Sequence, residues 1–419
     1  MPSPAVGQGA PVAARVHDAH QNGLDSPLPA GIITEMTEGG KKSIAILANF
    51  PAWLYTDKLP DYDNHYDVWL VALHESLARQ NEFDVHWVTF SGHVRQPLRF
   101  ESLGQHIHVL PRYKRLFGPF TLHALDRMKV ARELARIKPD MVHSWGTEDC
   151  YGLCAADFHG AKLHSVQGAM RAYVKRAWFN YHVYLHSLYE PYVWRRISHI
   201  TTESPWAADR VREVVPAAKP IHLEYAVEDR YFHIERKPSA TPQCLYIGTY
   251  TNIKNVAFLI EAFADPRLSH VKLKLAGFPP GFAPKEIPPN VEVVGIVGRE
   301  EVASLLSESW ALVHMSLGDT GPTVVKEARV AGLPVILSDC CGSTQHVEEG
   351  KSGFILSPRD REGLVKAVLE ATKDAETALR MGAHGRERCR EALGKEKMID
   401  TLLHLYHTIL AEARPHEIS

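Results

Sequence analysis

The chain has 419 residues, of which 45% are hydrophobic and 23% charged, and its formal net charge is −2. That length allows two domains, each with its own core, and the near-neutral balance gives no general pull toward nucleic acid or anionic lipid. No apolar run approaches the roughly 18 residues of a membrane span, no signal-peptide core opens the chain, and the six cysteines form no Cys-x-x-Cys pair; neither zinc-ribbon nor dithiol redox chemistry is indicated, and a cytoplasmic protein is expected.

Residues 1–42 are rich in Pro, Gly, Ala and Ser without periodicity and read as a flexible tail. Ser43 to Ala48 is an apolar run predicting the first strand. Asp61-Tyr62-Asp63 has the spacing at which two carboxylates share a hard cation. It sits in a polar loop and not at a strand end, so a solvated or acceptor-facing loop is expected and no metal site. Val68 to Gln80 has helical periodicity and Phe83 to Phe90 reads as a strand. The stretch from Leu110 to Lys138 is basic, with Phe117, Phe120 and Leu122 interleaved. It reads either as a solvated helix face or as a surface lying on an anionic membrane. Pro139 to His143 and Lys162 to Gln167 are further strands. Arg171 to Arg196 is dense in aromatic and basic residues, including Tyr173, Trp178, Phe179, Tyr181, Tyr184, Tyr189, Tyr192 and Trp194. Core packing accounts for most of them, and sugar stacking for a few.

Ser198 to Thr202 is a strand, and residues 229–241, with Pro238, read as a linker. The second half opens with Cys244 to Gly248, a strand into a turn, followed by strands at Val271–Gly277 and Val291–Gly295. Gly350-Lys351-Ser352 lacks the strand and first glycine of a phosphate-binding P-loop, and no Gly-x-Gly-x-x-Gly exists. Leu364 to Leu410 is helical by pattern.

Trp310–Met315 and Pro334–Ser338 are short apolar runs that read as buried parallel strands. Between them lies a helix opening at Pro322, which suits the first helical position. It ends at Gly332. Its first-turn N–H groups, around Thr323 to Val325, have no helical partners, and the dipole adds positive charge. Such a terminus suits a diphosphate. Asp319 precedes it and Glu327 follows eight residues on. The two carboxylates bracket the anion site, matching the sugar, diphosphate and ribose of a nucleotide-sugar. A capping Asp and a surface Glu on an ordinary helix have the same spacing.

Asp319 to Glu327, with Ala328, Gly332, Pro334 and Val335, resembles the Glu-x7-Glu motif of glycosyltransferase family 4, the retaining GT-B enzymes; Asp319 replaces the first Glu. Other similarities extend from about residue 43 to 390. Pro139–His143 resembles the family's Pro-Asp-x-x-His strand. Gln167 stands where relatives carry His. Ile221–Glu228 is similar to the family's Asn-Gly-Val-Asp segment, departing at Tyr225 and Glu228. Gly248 to Lys254 matches a Gly-Arg-x4-Lys spacing with Thr249 in place of Arg, and the relatives' Gly-Gly loop after the first strand is missing.

The resemblance implies an α/β GT-B fold: two Rossmann-like β/α/β domains facing a cleft, 43–228 for the acceptor and 242–390 for the nucleotide-sugar, with 391–419 packing back on the first. It implies transfer of a sugar with retention, to a glycan, a lipid-linked or a small-molecule acceptor. Catalytic roles fall to Asp319, Glu327, Lys254 and Gln167. The donor would meet Gly248, Thr249, Lys254, Val297, Thr320, Gly321, Pro322, Thr323, Val324 and Glu327. Gln167 can hydrogen-bond hydroxyls but cannot carry a proton at neutral pH, so it is a sugar contact and not a base. No cofactor or metal is implied beyond the UDP- or GDP-linked substrate. A nucleotide-sugar 2-epimerase, or a catalytically weak nucleotide-binding subunit, shares the fold.

Overall fold

A computed structural model describes residues 40–60, 69–112, 118–176, 180–282, 284 and 286–413. Residues 1–39 of the tail, the Asp61-Tyr62-Asp63 triplet, Phe117, Trp178 and Phe179 lie outside these residues.

Two sheets organise the chain. The first contains β1 (Ser43–Leu47), β2 (Asp84–Ser91), β3 (Leu98–Ser102), β4 (Gln105–Pro111), β5 (Met141–Trp145), β6 (Ala161–Ser165), β7 (His199–Thr202) and β8 (Ile221–His222). Their order is β3-β4-β2-β1-β5-β6-β7-β8. All pairs are parallel except β3 with β4. This hairpin was not singled out in the sequence, although Leu98, Phe100, Ile107 and Val109 alternate with polar residues as a half-covered strand pair requires. The second sheet has β9 (Gln243–Ile247), β10 (Lys272–Ala276), β11 (Val291–Gly295), β12 (Ala311–His314), β13 (Val335–Ser338) and β14 (Gly353–Leu356), in the order β11-β10-β9-β12-β13-β14, all parallel.

Central strands such as Ile44–Leu47 and Ala311–Val313 are fully buried, which is why they read as continuous apolar runs. In each sheet the order reverses beside one central strand, at β1/β5 and at β9/β12. Open α/β sheets bind ligands beyond the strand ends at such switch points. The loops after β9 and β12 are therefore the places to look in the second sheet.

Residues 229–241 do not span open solvent. The helix Asp229–Phe232 places Tyr231 and Phe232 in the second domain's core, and Lys237 and Ser239 donate backbone hydrogen bonds to Ser307 and Glu308 at 3.0 and 2.9 Å. The pattern from Leu364 to Leu410 resolves into three helices, Arg361–Ala371, Ala375–Cys389 and Lys395–Glu412. The last one leaves the second domain. Its Met398, Leu402, Tyr406 and Ile409 enter the first domain's core, and the Tyr406 hydroxyl bonds Nδ1 of His143 on β5 at 2.8 Å.

Candidate active site

The loop between β12 and the helix Thr323–Val330 is held from several directions. The Asp319 N–H donates to Cys340 O at 3.1 Å. Ser204 Oγ donates to Thr320 O at 2.6 Å, and Thr320 Oγ1 donates to Gln167 O. A Cβ on Gly342 would lie 1.8 Å from Thr320 O, and one on Gly321 would lie 2.7 Å from the Glu203 carboxyl. These glycines let the loop nest against the first domain. Thr320 and Gly321 are thus interdomain struts, with Thr320's hydroxyl already engaged.

The helix starts one residue later than its sequence predicts. Pro322 has φ −65° and ψ 117°, so it is the N-cap and not the first helical residue. Its carbonyl accepts from Val325 at 3.1 Å and Lys326 at 3.4 Å. The N–H groups of Thr323 and Val324 precede the first helical bond, as an anion-binding terminus requires.

The loop after β9 meets this one across the switch point. Leu317 N–H donates to Ile253 O at 2.8 Å. Asn255, at φ 58°, uses its amide to bond Met315 O at 2.9 Å and Pro358 O at 2.8 Å. So anchored, the loop delivers Lys254 to Asp319, to which its ammonium donates. Asp319 also accepts from His314 Nε2 at 3.0 Å. Burial works to raise the Asp319 pKa, but Lys254 and His314 outweigh it and hold the carboxyl well below the usual range. Because Asp319 is ionised and can only accept, buried His314 is the neutral Nε2–H tautomer.

Glu327 has the opposite environment. Burial, with Glu228 nearby, pushes its pKa up to about 7. It accepts no hydrogen bond from the described residues, so its capacity is free for a ligand hydroxyl. Gly248 and Thr249 sit at the β9 exit, where the Tyr246 hydroxyl bonds Thr249 O at 3.1 Å. Val297 turns its side chain into the core, leaving its backbone for any ligand. Gln167 stands on the facing domain, with Glu148 packed beside Gly146 and Gly168.

Three residues were missed by sequence reasoning. Buried Lys326 pairs with buried Glu203 of the first domain and donates to Tyr225 O at 3.2 Å. Glu224 accepts from Gln345 and His346, each at 2.7 Å. Lys326 reads as a surface lysine beside Glu327, and nothing in the sequence marks its partner 123 positions earlier.

Residues 227–388 match the profile of the family described as Glycosyl transferases group 1. The second domain is similar to group 1 glycosyltransferase domains. O-antigen chain mannosyltransferase C of Escherichia coli is 28% identical over 180 residues, 40% of this chain and 46% of that one. A GDP-mannose-dependent alpha-(1-6)-phosphatidylinositol monomannoside mannosyltransferase of Mycobacterium tuberculosis is 38% identical over 64 residues, 15% of this chain and 17% of its own. The chain thus spans less than half the length of these curated relatives. Sucrose-phosphate synthase from Thermosynechococcus elongatus superposes over 89% of this chain and 100% of that one, with TM-score 0.72 at 19% identity. Anabaena HepE, solved with UDP and glucose, gives 0.62 at 12% identity over 88% and 100%. These superpositions fix the fold as GT-B, with the region that matches the group 1 profile carrying the Asp319–Glu327 loop and Lys254.

Proposed function

We propose that the chain transfers a sugar, with retention, from a nucleotide-sugar to a glycan, lipid-linked or small-molecule acceptor. One observation carries this reading. A helix N-terminus, a lysine and two carboxylates of opposite character converge at the switch point of a group 1 glycosyltransferase domain. The diphosphate lies at the N–H groups of Thr323 and Val324, the ribose hydroxyls donate to Glu327, and the sugar hydroxyls donate to Asp319.

Lys254 is the movable charge. It rests on Asp319 without a donor and turns to the diphosphate when one binds. As the sugar–phosphate bond breaks, negative charge grows on the leaving diphosphate. The helix terminus and Lys254 meet it with groups already in place. No side chain is assigned as base; the departing phosphate takes the acceptor's proton on the same face. Phosphate charge is balanced by backbone and lysine, so no divalent ion is required.

Two relatives are mannosyltransferases by name, one GDP-mannose-dependent, which makes GDP-mannose the first donor to test. The assay incubates the chain with GDP- and UDP-sugars and lipid-linked or glycan acceptors, with and without EDTA. Nucleoside diphosphate release is followed and the product anomer assigned by NMR. Transfer with retention in EDTA supports the reading; inversion, or strict dependence on Mn²⁺, overturns it. Donor turnover without an acceptor points to the epimerase.

An exposed apolar patch favours a lipid-linked acceptor. Phe120, Leu122, Leu125 and Met128 are exposed, as are Tyr181, Tyr184 and Leu188, and Phe120 stacks on Tyr181 at 5.9 Å. Arg132 and Arg136 continue the Leu125–Met128 face along the helix Ala124–Ile137. Apolar side chains followed by cations suit an anionic membrane surface. Among the described residues no helix is long and apolar enough to cross a membrane. Co-sedimentation with phosphatidylglycerol vesicles, lost in Leu125→Ser/Met128→Ser, tests the contact.

A further inference from the structure

A second cluster lies on the first sheet, away from the cleft. Asp84 opens β2, two residues before His86, so both point to one face. His106 on the parallel neighbour β4 is the register partner of His86. Asp84 Oδ2 is 3.1 Å from His86 Nε2, and its Oδ1 is 3.3 Å from His106 Nε2. The three ligand atoms all lie within 4.8 Å of one another, and the two rings stack with centroids 4.6 Å apart.

The outer contacts decide what this means. Glu133 is gripped by Arg99 through two bonds of 2.7 and 2.6 Å. An ionised carboxylate only accepts, so His108 Nδ1, 2.8 Å away, donates to it. With one proton per ring, His108 Nε2 then accepts, and its donor is His86 Nδ1 at 3.1 Å. His86 is left with its lone pair on Nε2, aimed at Asp84. Likewise, His106 Nδ1 lies 3.4 Å from Glu101, and donating there leaves its Nε2 lone pair toward Asp84. Two imidazole lone pairs and a carboxylate so oriented repel one another unless a cation joins them.

We propose that Asp84, His86 and His106 bind a first-row divalent transition-metal ion, zinc foremost. Mixed imidazole and carboxylate ligands suit zinc, copper, iron or nickel better than magnesium or calcium. Three protein ligands leave a position for water. The outer shell of His108, Glu133 and Glu101 orients the rings as metal-bound histidines require. Asp84 lies at the amino end of its strand, whereas the cleft lies at the carboxyl ends. The ion therefore fastens β2 to β4 and, through Glu133, to the helix Ala124–Ile137. It takes no part in sugar transfer and is independent of the reading above.

The test uses the full chain, freed of any polyhistidine tag and dialysed against chelator. ZnCl₂ is titrated by calorimetry, with Tm measured in parallel. One equivalent should bind and raise Tm. His106→Ala and Asp84→Asn, checked by circular dichroism, should each weaken zinc on the order of tenfold or more and abolish the Tm rise. His407→Ala, at an exposed histidine paired with Glu82, should leave it unchanged, and nucleoside diphosphate binding should be the same with and without zinc. Absence of zinc binding, or equal affinity in wild type, His106→Ala and Asp84→Asn, overturns the site.

Discussion

Glu327 and Asp319 are carboxylates eight positions apart, yet their surroundings drive their protons in opposite directions. That difference is measurable. On the proposed reading the ribose hydroxyls need the ionised Glu327, a carboxyl that burial pushes up to about 7 in the unliganded protein. Binding therefore releases a proton, and nucleoside diphosphate affinity should rise from pH 6 to pH 8. Glu327→Gln should flatten the part of the profile that belongs to this group, as read by calorimetry in two buffers of different ionisation enthalpy. In the unliganded protein the same raised pKa means that this group's contribution to stability falls as pH climbs from the usual carboxylate range to about 7. If Lys254 turns to the diphosphate as proposed, Lys254→Ala removes a charge-assisted bond worth about 1.5–3 kcal/mol. Affinity should fall roughly ten- to a hundredfold, while unchanged affinity would return Lys254 to a purely structural partner of Asp319. Asp319→Asn should spare diphosphate binding and lower turnover, because only the intact donor brings a sugar to it.

At the scale of elements, the loop from Asp319 to Pro322 is set by two glycines. Gly342→Ala would drive a methyl group into Thr320 O, and backbone cannot yield as a flexible side chain does. The expected cost is about 1–3 kcal/mol, read as a lower denaturant midpoint, together with lost turnover as Thr320 leaves Ser204. How far the sequence discloses such features varies with their range. The strands β9 to β13 and the helix after Asp319 were legible, because the central strands β9, β12 and β13 are near-continuous apolar runs, the outer strands β10 and β11 interleave Lys272, Lys274 and Glu292 with apolar residues, and the helix carries its own ends. The sequence singles out Lys254 and Asp319, but their mutual contact was not legible: it depends on Asn255 in the left-handed region pinning one loop to another. Pro322 was placed one position too far inside because a proline's fixed φ serves the N-cap as well as the first turn, and only ψ separates them. The β3–β4 hairpin does carry a regular alternation, Leu98, Phe100, Ile107 and Val109 on one face against Arg99, Glu101, His106 and His108 on the other, a signal present in the sequence and overlooked there.

For the whole molecule, the contact between domains rests on buried charge. Lys326 and Glu203 satisfy each other out of water, and burial raises the Glu203 pKa despite the lysine. Lys326→Met should cost about 3–5 kcal/mol by stranding that carboxylate, and adding Glu203→Gln should restore much of the loss; a fully additive double variant would show the pair to be unimportant. The return of the helix Lys395–Glu412 to the first domain has a consequence for how the protein is made. Domains generally fold as they emerge from the ribosome, amino-terminal first. Here the sheet that is synthesised first is completed last, since Tyr406 reaches His143 across 263 positions of sequence. Throughout elongation of the second domain, the apolar floor under β1 and β5 stays open to water and to chaperones. A nascent chain stalled before Lys395 should accordingly bind hydrophobic dyes and be cut by protease within residues 43–226, and release of the final helix should close both windows together.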